Sequence, residues 1–319
     1  MNEIPSGESS HFAMGTEIMY KAFGTHAQEA IAAAKQEAKR LEGLLSRFLP
    51  QSEVSRLNAS AGRQAVSLSE EAFGVFNRAL DYSKLSQGLF DVTVGPLADL
   101  WDYKRATKPP ADTEIQRILP LVDYRDIELD HTKKTARLRH PGQSVDLGGI
   151  GKGFAGDRFM ELFKEYGVTS AFCNIGGNVS TLGSRPDGSP WLVGIRHPRQ
   201  EGLLGAVAVT GKAVVTSGDY ERYFIDNEGR RYHHILNPAT GYPAQSGLIS
   251  VTVIAENGMA ADALSTAVFV SGLEQGYALI KKVRQAEMVC VDAKLRVYLT
   301  RGIEDCFQSA CGIKTNLIE

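Results

Sequence analysis

The sequence predicts an α+β fold with a predominantly antiparallel sheet and flanking helices. Three observations predict it. Helical and strand-like segments are mixed without strict βα alternation, and short strands separated by turn signals crowd the chain from residue 191 onward. The third is size: 319 residues with 43% hydrophobic content suffice for a large core, built as one domain or as two intimately packed lobes.

Residues 1–12 read as a flexible polar tail ahead of a single domain over 13–319. A strand is expected over 17–23, then a helix over 27–48, where Ile31, Ala34, Ala38, Leu41, Leu45 and Phe48 recur at the helical period. Pro50 closes that helix, and 52–58 reads as a turn-rich connection. Ser69 before Glu70 and Glu71 is an N-cap followed by first-turn acids, so a helix should run to about Ser86 and break at Gly88. The apolar stretch 89–97 contains one acid, Asp91, which must be hydrogen-bonded; a turn cap and a ligand contact both satisfy that need. Residues 101–110 form an aromatic and basic loop, 112–119 a short helix, and 127–129 with 135–138 a pair of strands.

Residues 145–160, VDLGGIGKGFAGDRFM, are the centre of the chain: an apolar run, a glycine-dense turn with one acid and one lysine, then an amphipathic helix to about Tyr166. Gly148, Gly149, Gly151 and Gly153 free the backbone to take positive φ and to approach a phosphate-bearing ligand closely. The spacing matches neither GxxxxGK[ST] nor GxGxxG, so neither of those mechanisms applies. A strand over 171–175 ends in Gly176-Gly177-Asn178. Strands follow over 191–195, 205–209, 213–216, 222–225, 232–236 and 248–254, then helices over 259–270 and 274–283. A hairpin over 287–291 and 295–299 closes the chain.

The net charge of −2, with both signs interspersed, gives no footprint for nucleic acid. No apolar run reaches the roughly 18 residues of a membrane helix. The opening segment has no signal-peptide pattern and no lipid-bearing cysteine, so the chain as written is expected in the cytoplasm; removal of an N-terminal anchor would place it on the periplasmic side of the inner membrane. Cys173 and Cys290 lie in apolar runs that read as buried strands, while Cys306 and Cys311 read as two thiols or a disulfide.

Asp262 and Thr266, four residues apart on one predicted helix, share a face and make a hard oxygen pair suited to Mg²⁺. On spacing alone the plainer reading is that Thr266 bonds back to the preceding turn and Asp262 caps the helix. His233 and His234 alternate across a strand, so one of them at most faces a given side, and a histidine beside phosphates is a candidate general base. No GxSxG or Cys/His signature is present.

Several stretches together resemble the FAD:protein FMN transferase (ApbE) family. They are MGT at 14–16, GLFDVTVGPL at 88–97, VDLGGIGKG at 145–153, NIGGN at 174–178, TSGDY at 216–220, HILNPATG at 234–241 and ADALSTA at 261–267, in family order. The resemblance implies two lobes with an FAD cleft between them, and Mg²⁺-dependent transfer of FMN from FAD to a Ser or Thr hydroxyl of an acceptor protein, releasing AMP. It implies that Gly149, Asp262 and Thr266 hold Mg²⁺, joined by the Ser265 carbonyl. FAD would be contacted by Met14, Phe48, Leu89, Phe90, Asp91, Asp146, Lys152 and Leu236, and His234 would be the base toward the acceptor. Asp146 has alternatives, orienting Lys152 or bonding a nucleotide hydroxyl. Gly151 stands where the family often has Ala, and Phe48 where a Tyr is found, which leaves stacking without a hydroxyl. The same site with water as acceptor would be an FAD pyrophosphatase, and without turnover an FAD-binding protein.

Overall fold

A nine-stranded sheet carries the architecture, and the computed structural model describes residues 4–318. In spatial order its strands are Ser6–Ala13, Thr16–Phe23, Ser170–Ile175, Asn178–Leu182, Ala213–Gly218, Leu248–Ala255, Glu287–Asp292, Val297–Thr300 and Thr315–Ile318. Neighbours are antiparallel until the last, which adds in parallel to Val297–Thr300. The expected α+β class with a mostly antiparallel sheet is what the chain adopts.

The sheet is the middle of three layers. Leu248–Ala255 is buried along its whole length because both of its faces are covered. Val251 and Val253 pack with Leu264 and Val268 of the helix Gly258–Ser271, whereas Ile254 packs with Trp191, Val193 and Val207 of a three-stranded sheet on the other side. The helices Ala27–Leu45 and Gly151–Glu165 cover the first strands on the helical face. A second unit, the helices Glu53–Ala59 and Glu70–Leu85 with the small sheet Val66–Ser67, Thr135–Leu138 and Ile127–Asp130, shares its core with the main sheet: Phe76 and Leu138 belong to the same apolar cluster as Leu264 and Val253. No described helix is long and apolar enough to cross a membrane.

Several expectations need correction, among them the closing hairpin, which is followed by the strands Phe307–Ser309 and Thr315–Ile318. Residues 6–12, read as tail, belong to the edge strand Ser6–Ala13, which pairs residue for residue with Thr16–Phe23 from Ser6 opposite Phe23 to Ala13 opposite Thr16. Its polarity is that of an edge whose alternate residues face solvent; residues 1–3 of the expected tail, and residue 319, lie outside the described residues. The helix read over 27–48 stops at Leu45, where Ser46 turns extended, so Phe48 leaves the apolar stripe and is 74% exposed. Residues 53–59 are helical, with Ser52 Oγ accepting the Ser55 N–H at 2.9 Å. Gly95–Trp101 is also helical, opening on Pro96. Both are seven residues long, too short for periodicity to separate them from turns.

One contact fixes the site. The helices Gly151–Glu165 and Gly258–Ser271 cross with Gly153 against Gly258, where a Cβ on either residue would collide with the other's backbone carbonyl. Each helix also caps its partner. Asp157 accepts the Gly258 and Met259 N–H groups at 2.5 and 3.0 Å, and Asp262 accepts the Gly153 N–H at 2.9 Å. Two helix starts thus receive carboxylates from each other, the arrangement their dipoles favour. Gly153→Ala is expected to lower the unfolding free energy by about 1–3 kcal/mol, as overpacking does. Urea denaturation checks it, and a variant as stable as the parent would show that the crossing is looser than described.

Candidate functional site

The glycine turn owes its glycines to close approach. None of Gly148, Gly149, Gly151 and Gly153 is among the positive-φ residues, contrary to the expectation of left-handed backbone. A Cβ at Gly149 would stand 3.1 Å from the Phe90 ring and 3.5 Å from Thr266 Oγ1, and one at Gly148 would stand 2.9 Å from Asp146 Oδ1. At Gly151 nothing lies within 4 Å, so the Ala found in the resembling family fits there.

Thr266 and Asp262 approach this turn from the crossing helix. Between positions 260 and 270 every residue is buried except Thr266. Its hydroxyl lies 3.4 Å from Ser217 Oγ, which lies 2.8 Å from Ser265 Oγ. Asp262 is 4% exposed. One of its oxygens takes the Gly153 N–H; the other stands 3.6 Å from the Lys152 ammonium, which also donates to the Gly148 carbonyl at 3.1 Å. Four residues named from sequence, Gly149, Lys152, Asp262 and Thr266, therefore stand together although the helix motif follows the glycine turn by more than a hundred positions. Back-bonding coexists with this, the Thr266 hydroxyl being 3.5 Å from the Asp262 carbonyl, but the cap of this helix is Asn257, and Asp262 caps the crossing helix instead.

Asp146 extends the cluster. Its Oδ1 accepts the Gly148 N–H at 2.7 Å, and its Oδ2 receives Arg47 Nη1 at 3.2 Å, so it organises the turn and does not orient Lys152. Arg47 also bridges to Asp99 at 2.5 Å and stacks its guanidinium 5.3 Å from the centre of the exposed Phe48 ring. A continuous run of contacts links Phe48, Arg47, Asp146, the glycine turn, Lys152 and Asp262.

Of the paired histidines, His233 points inward. Its Nδ1 accepts the Ile235 N–H, so its Nε2–H donates to the Ala244 carbonyl at 3.1 Å, and its ring meets Phe269 edge-on. His234 faces the other way, ring to ring with Tyr103 at 5.6 Å. Its Nδ1 lies 3.1 Å from the Arg222 carbonyl, an acceptor that selects the Nδ1–H tautomer and leaves the Nε2 lone pair free. Burial first, then the Arg222 guanidinium, with smaller pushes from His233 and Lys152, bring the His234 pKa down to about 3.

Other predicted residues are placed differently. Asp91 is a turn cap: Oδ1 accepts the Thr93 N–H and hydroxyl at 2.8 and 2.6 Å, and Oδ2 accepts the Tyr124 N–H at 2.8 Å. Its carboxylate serves as the turn cap, and the need of a 7% exposed acid for partners is met from within. Leu236 is 7% exposed inside an apolar cluster with Trp101, Ile115 and Phe224 and is not a bare wall. Leu89 packs half-buried on the main core, and Phe90, 4% exposed, backs the glycine turn. Met14 sits at φ 53° in the turn joining the first two strands, half-buried beside the cluster under Ala27–Leu45. Next to it, Gly176 abuts Thr16 so closely that no Cβ fits.

Arg47 was missed, and Ser217 and Asp157, though inside quoted stretches, were assigned no role. Arg47 was hidden by the overlong helix reading, and the Ser217 hydroxyl matters only through a strand-to-helix contact. Asp157 follows Gly153 by four positions on one helical face, a legible signal. Burial pushes the Asp157 carboxyl up to about 6. A cavity of about 460 Å³ includes Asp157 and Asn257 but none of the predicted site residues. Cys173 and Cys290 are buried, and Cys306 and Cys311 are exposed free thiols.

The model of the ApbE family matches residues 14–290. A Klebsiella pneumoniae protein named FAD:protein FMN transferase is 33% identical over 290 residues, covering 90% of this chain and 89% of its own. A Treponema pallidum protein of the same name is 32% identical, covering 93% of this chain and 87% of its own. The crystal structure of an ApbE protein from Thermotoga maritima superposes with a TM-score of 0.88 at 30% identity, covering 95% of this chain and 99% of the other. A Vibrio cholerae structure described as the flavin transferase ApbE gives 0.86 at 25% identity, covering 95% and 100%. By motif order, fold and extent of match, the chain belongs to the ApbE family.

Proposed function

We propose that this protein transfers FMN from FAD to a Ser or Thr hydroxyl of an acceptor protein, with Mg²⁺, and releases AMP. The observation that carries the reading is the meeting of Gly149, Lys152, Asp262 and Thr266 at one place. A diphosphate needs cationic and amide partners, and phosphoryl transfer is chiefly positioning and charge stabilisation. The donors fit the metal. Among the described residues no three His, Cys, Asp or Glu side chains cluster, which argues against a site built wholly from such groups. One buried carboxylate, one part-exposed hydroxyl and a glycine carbonyl are oxygen donors of the kind Mg²⁺ accepts while keeping waters and phosphate oxygens.

Asp262, Thr266 and the Gly149 carbonyl would hold the ion, which when bound offsets the diphosphate charge. Lys152 adds a fixed positive charge beside the same group. His234 Nε2, freed by the hydrogen bond at Nδ1, takes the acceptor's hydroxyl proton as its oxygen bonds to the FMN phosphorus. The anhydride P–O bond breaks and AMP departs with the electron pair. Phe48, 74% exposed, offers stacking surface for a flat ring.

Asp262→Asn is expected to lower kcat/KM for FMN transfer by roughly 10²- to 10³-fold, the range for losing one fixed electrostatic group. Flavin fluorescence that survives denaturation of the acceptor measures it; a variant as active as the parent would remove the carboxylate from the mechanism. The low His234 pKa has a sign: the base is already neutral well below pH 6, so between pH 5 and 8 its protonation should not limit kcat/KM. An acidic limb centred near 6.5, abolished by His234→Gln, would instead assign the base an ordinary solvated imidazole.

A further inference from the structure

The aromatic and basic loop at residues 102–110 has no part in the reaction as drawn, yet it stands between two of its candidate groups. Tyr103 lies ring to ring with His234, and its hydroxyl is 3.5 Å from Arg222 Nη1. Lys104 Nζ is 5.8 Å from the centre of the Phe48 ring. The root of the loop is fixed. Trp101, 2% exposed, donates its indole N–H to the Gly241 carbonyl at 2.8 Å and packs against Phe224, Tyr232 and Tyr242. These aromatics belong to the segments that flank His234, so loop and base are held as one unit.

Charge gives the loop its chemistry. Residues 102–110 carry three bases, Lys104, Arg105 and Lys108, against one acid, Asp102. All three bases are exposed, as is Arg222 beside them. Neighbouring acids are engaged elsewhere: Asp99 with Arg47, Glu221 with Arg196, and Asp112 as acceptor of the Tyr242 hydroxyl. Among the described residues none is within ion-pair distance of Lys104, Arg105, Lys108 or Arg222. A solvated basic loop is ordinarily indifferent to function. This one is fixed against the histidine that, in the reaction proposed above, must meet the acceptor hydroxyl.

We propose that loop 102–110, with Arg222, is the docking surface for the acceptor protein, and that it fits a segment whose Ser or Thr is flanked by aspartate or glutamate. The inference rests on the transfer reading and adds to it a rule of partner choice. Exposed rim charges act mainly on encounter and register, with salt dependence as their mark, so the loop should govern acceptor KM more than kcat.

The test uses a display library of peptides with one central Thr and randomised flanks, incubated with the protein, FAD and Mg²⁺. Members that retain flavin after a denaturing wash are sequenced. The expected result is enrichment of Asp and Glu in the flavin-bearing pool. With one enriched acidic peptide, Arg105→Glu/Lys108→Glu should raise the peptide KM roughly tenfold, flatten its salt dependence, and leave kcat and the KM for FAD unchanged. No acid enrichment, or an unchanged peptide KM in the variant, overturns the inference. A rise in the FAD KM alone overturns it too, by assigning the loop to the nucleotide. Labelling of no peptide by the parent protein would instead sink the transfer reading and this inference with it.

Discussion

Everything at the site depends on two helices that touch backbone to backbone. The Gly153–Gly258 crossing removes the space that side chains would occupy, and the exchanged carboxylates of Asp157 and Asp262 hold both helix starts in register. A carboxylate that caps a foreign helix cannot swing away without orphaning an amide. That is why Asp262 can remain at 4% exposure with one oxygen turned toward Lys152. Capping of the neighbouring helix and the proposed chemistry thus use opposite sides of one group, while the cap of its own helix falls to Asn257.

The neighbouring histidines divide labour by strand geometry. His233 spends both ring nitrogens on backbone groups and belongs to the core, whereas His234 spends one and presents the other. Alternation alone required that they differ. Which one faces out depended on the Arg222 carbonyl and on Phe269, neither of which is near them in sequence.

Much of this was legible because its signals are local. The Ser69 cap with Glu70 and Glu71 marked a helix start that the structure keeps at Glu70, and the burial of Cys173 and Cys290 followed from their apolar strands. Failures arose where a local pattern had two physical causes. Periodicity through Phe48 ran past the residue at which Ser46 turns the chain, and the polar alternation of Ser6–Ala13 looks like a tail until a partner strand is supplied. Within the site, Asp262, Thr266, Gly149 and Lys152 could be named from motifs. Arg47 lies in none of them, and Ser217 lies in one without a stated role, since their significance is in contacts to Asp146 and Thr266 across the fold. The glycines were identified correctly and explained wrongly: room, and not handedness, is what they provide.

The first strand carries a practical consequence for anyone shortening the polypeptide. Ser6–Ala13 satisfies the outward amides and carbonyls of Thr16–Phe23, beneath which Ile18, Tyr20 and Ala22 are wholly enclosed. Deleting the residues that look dispensable would leave an open row of hydrogen-bonding groups beside freshly bared apolar surface, and such a border recruits strands from other molecules. The polar strand Ser6–Ala13 is therefore the border that the apolar strand behind it lacks.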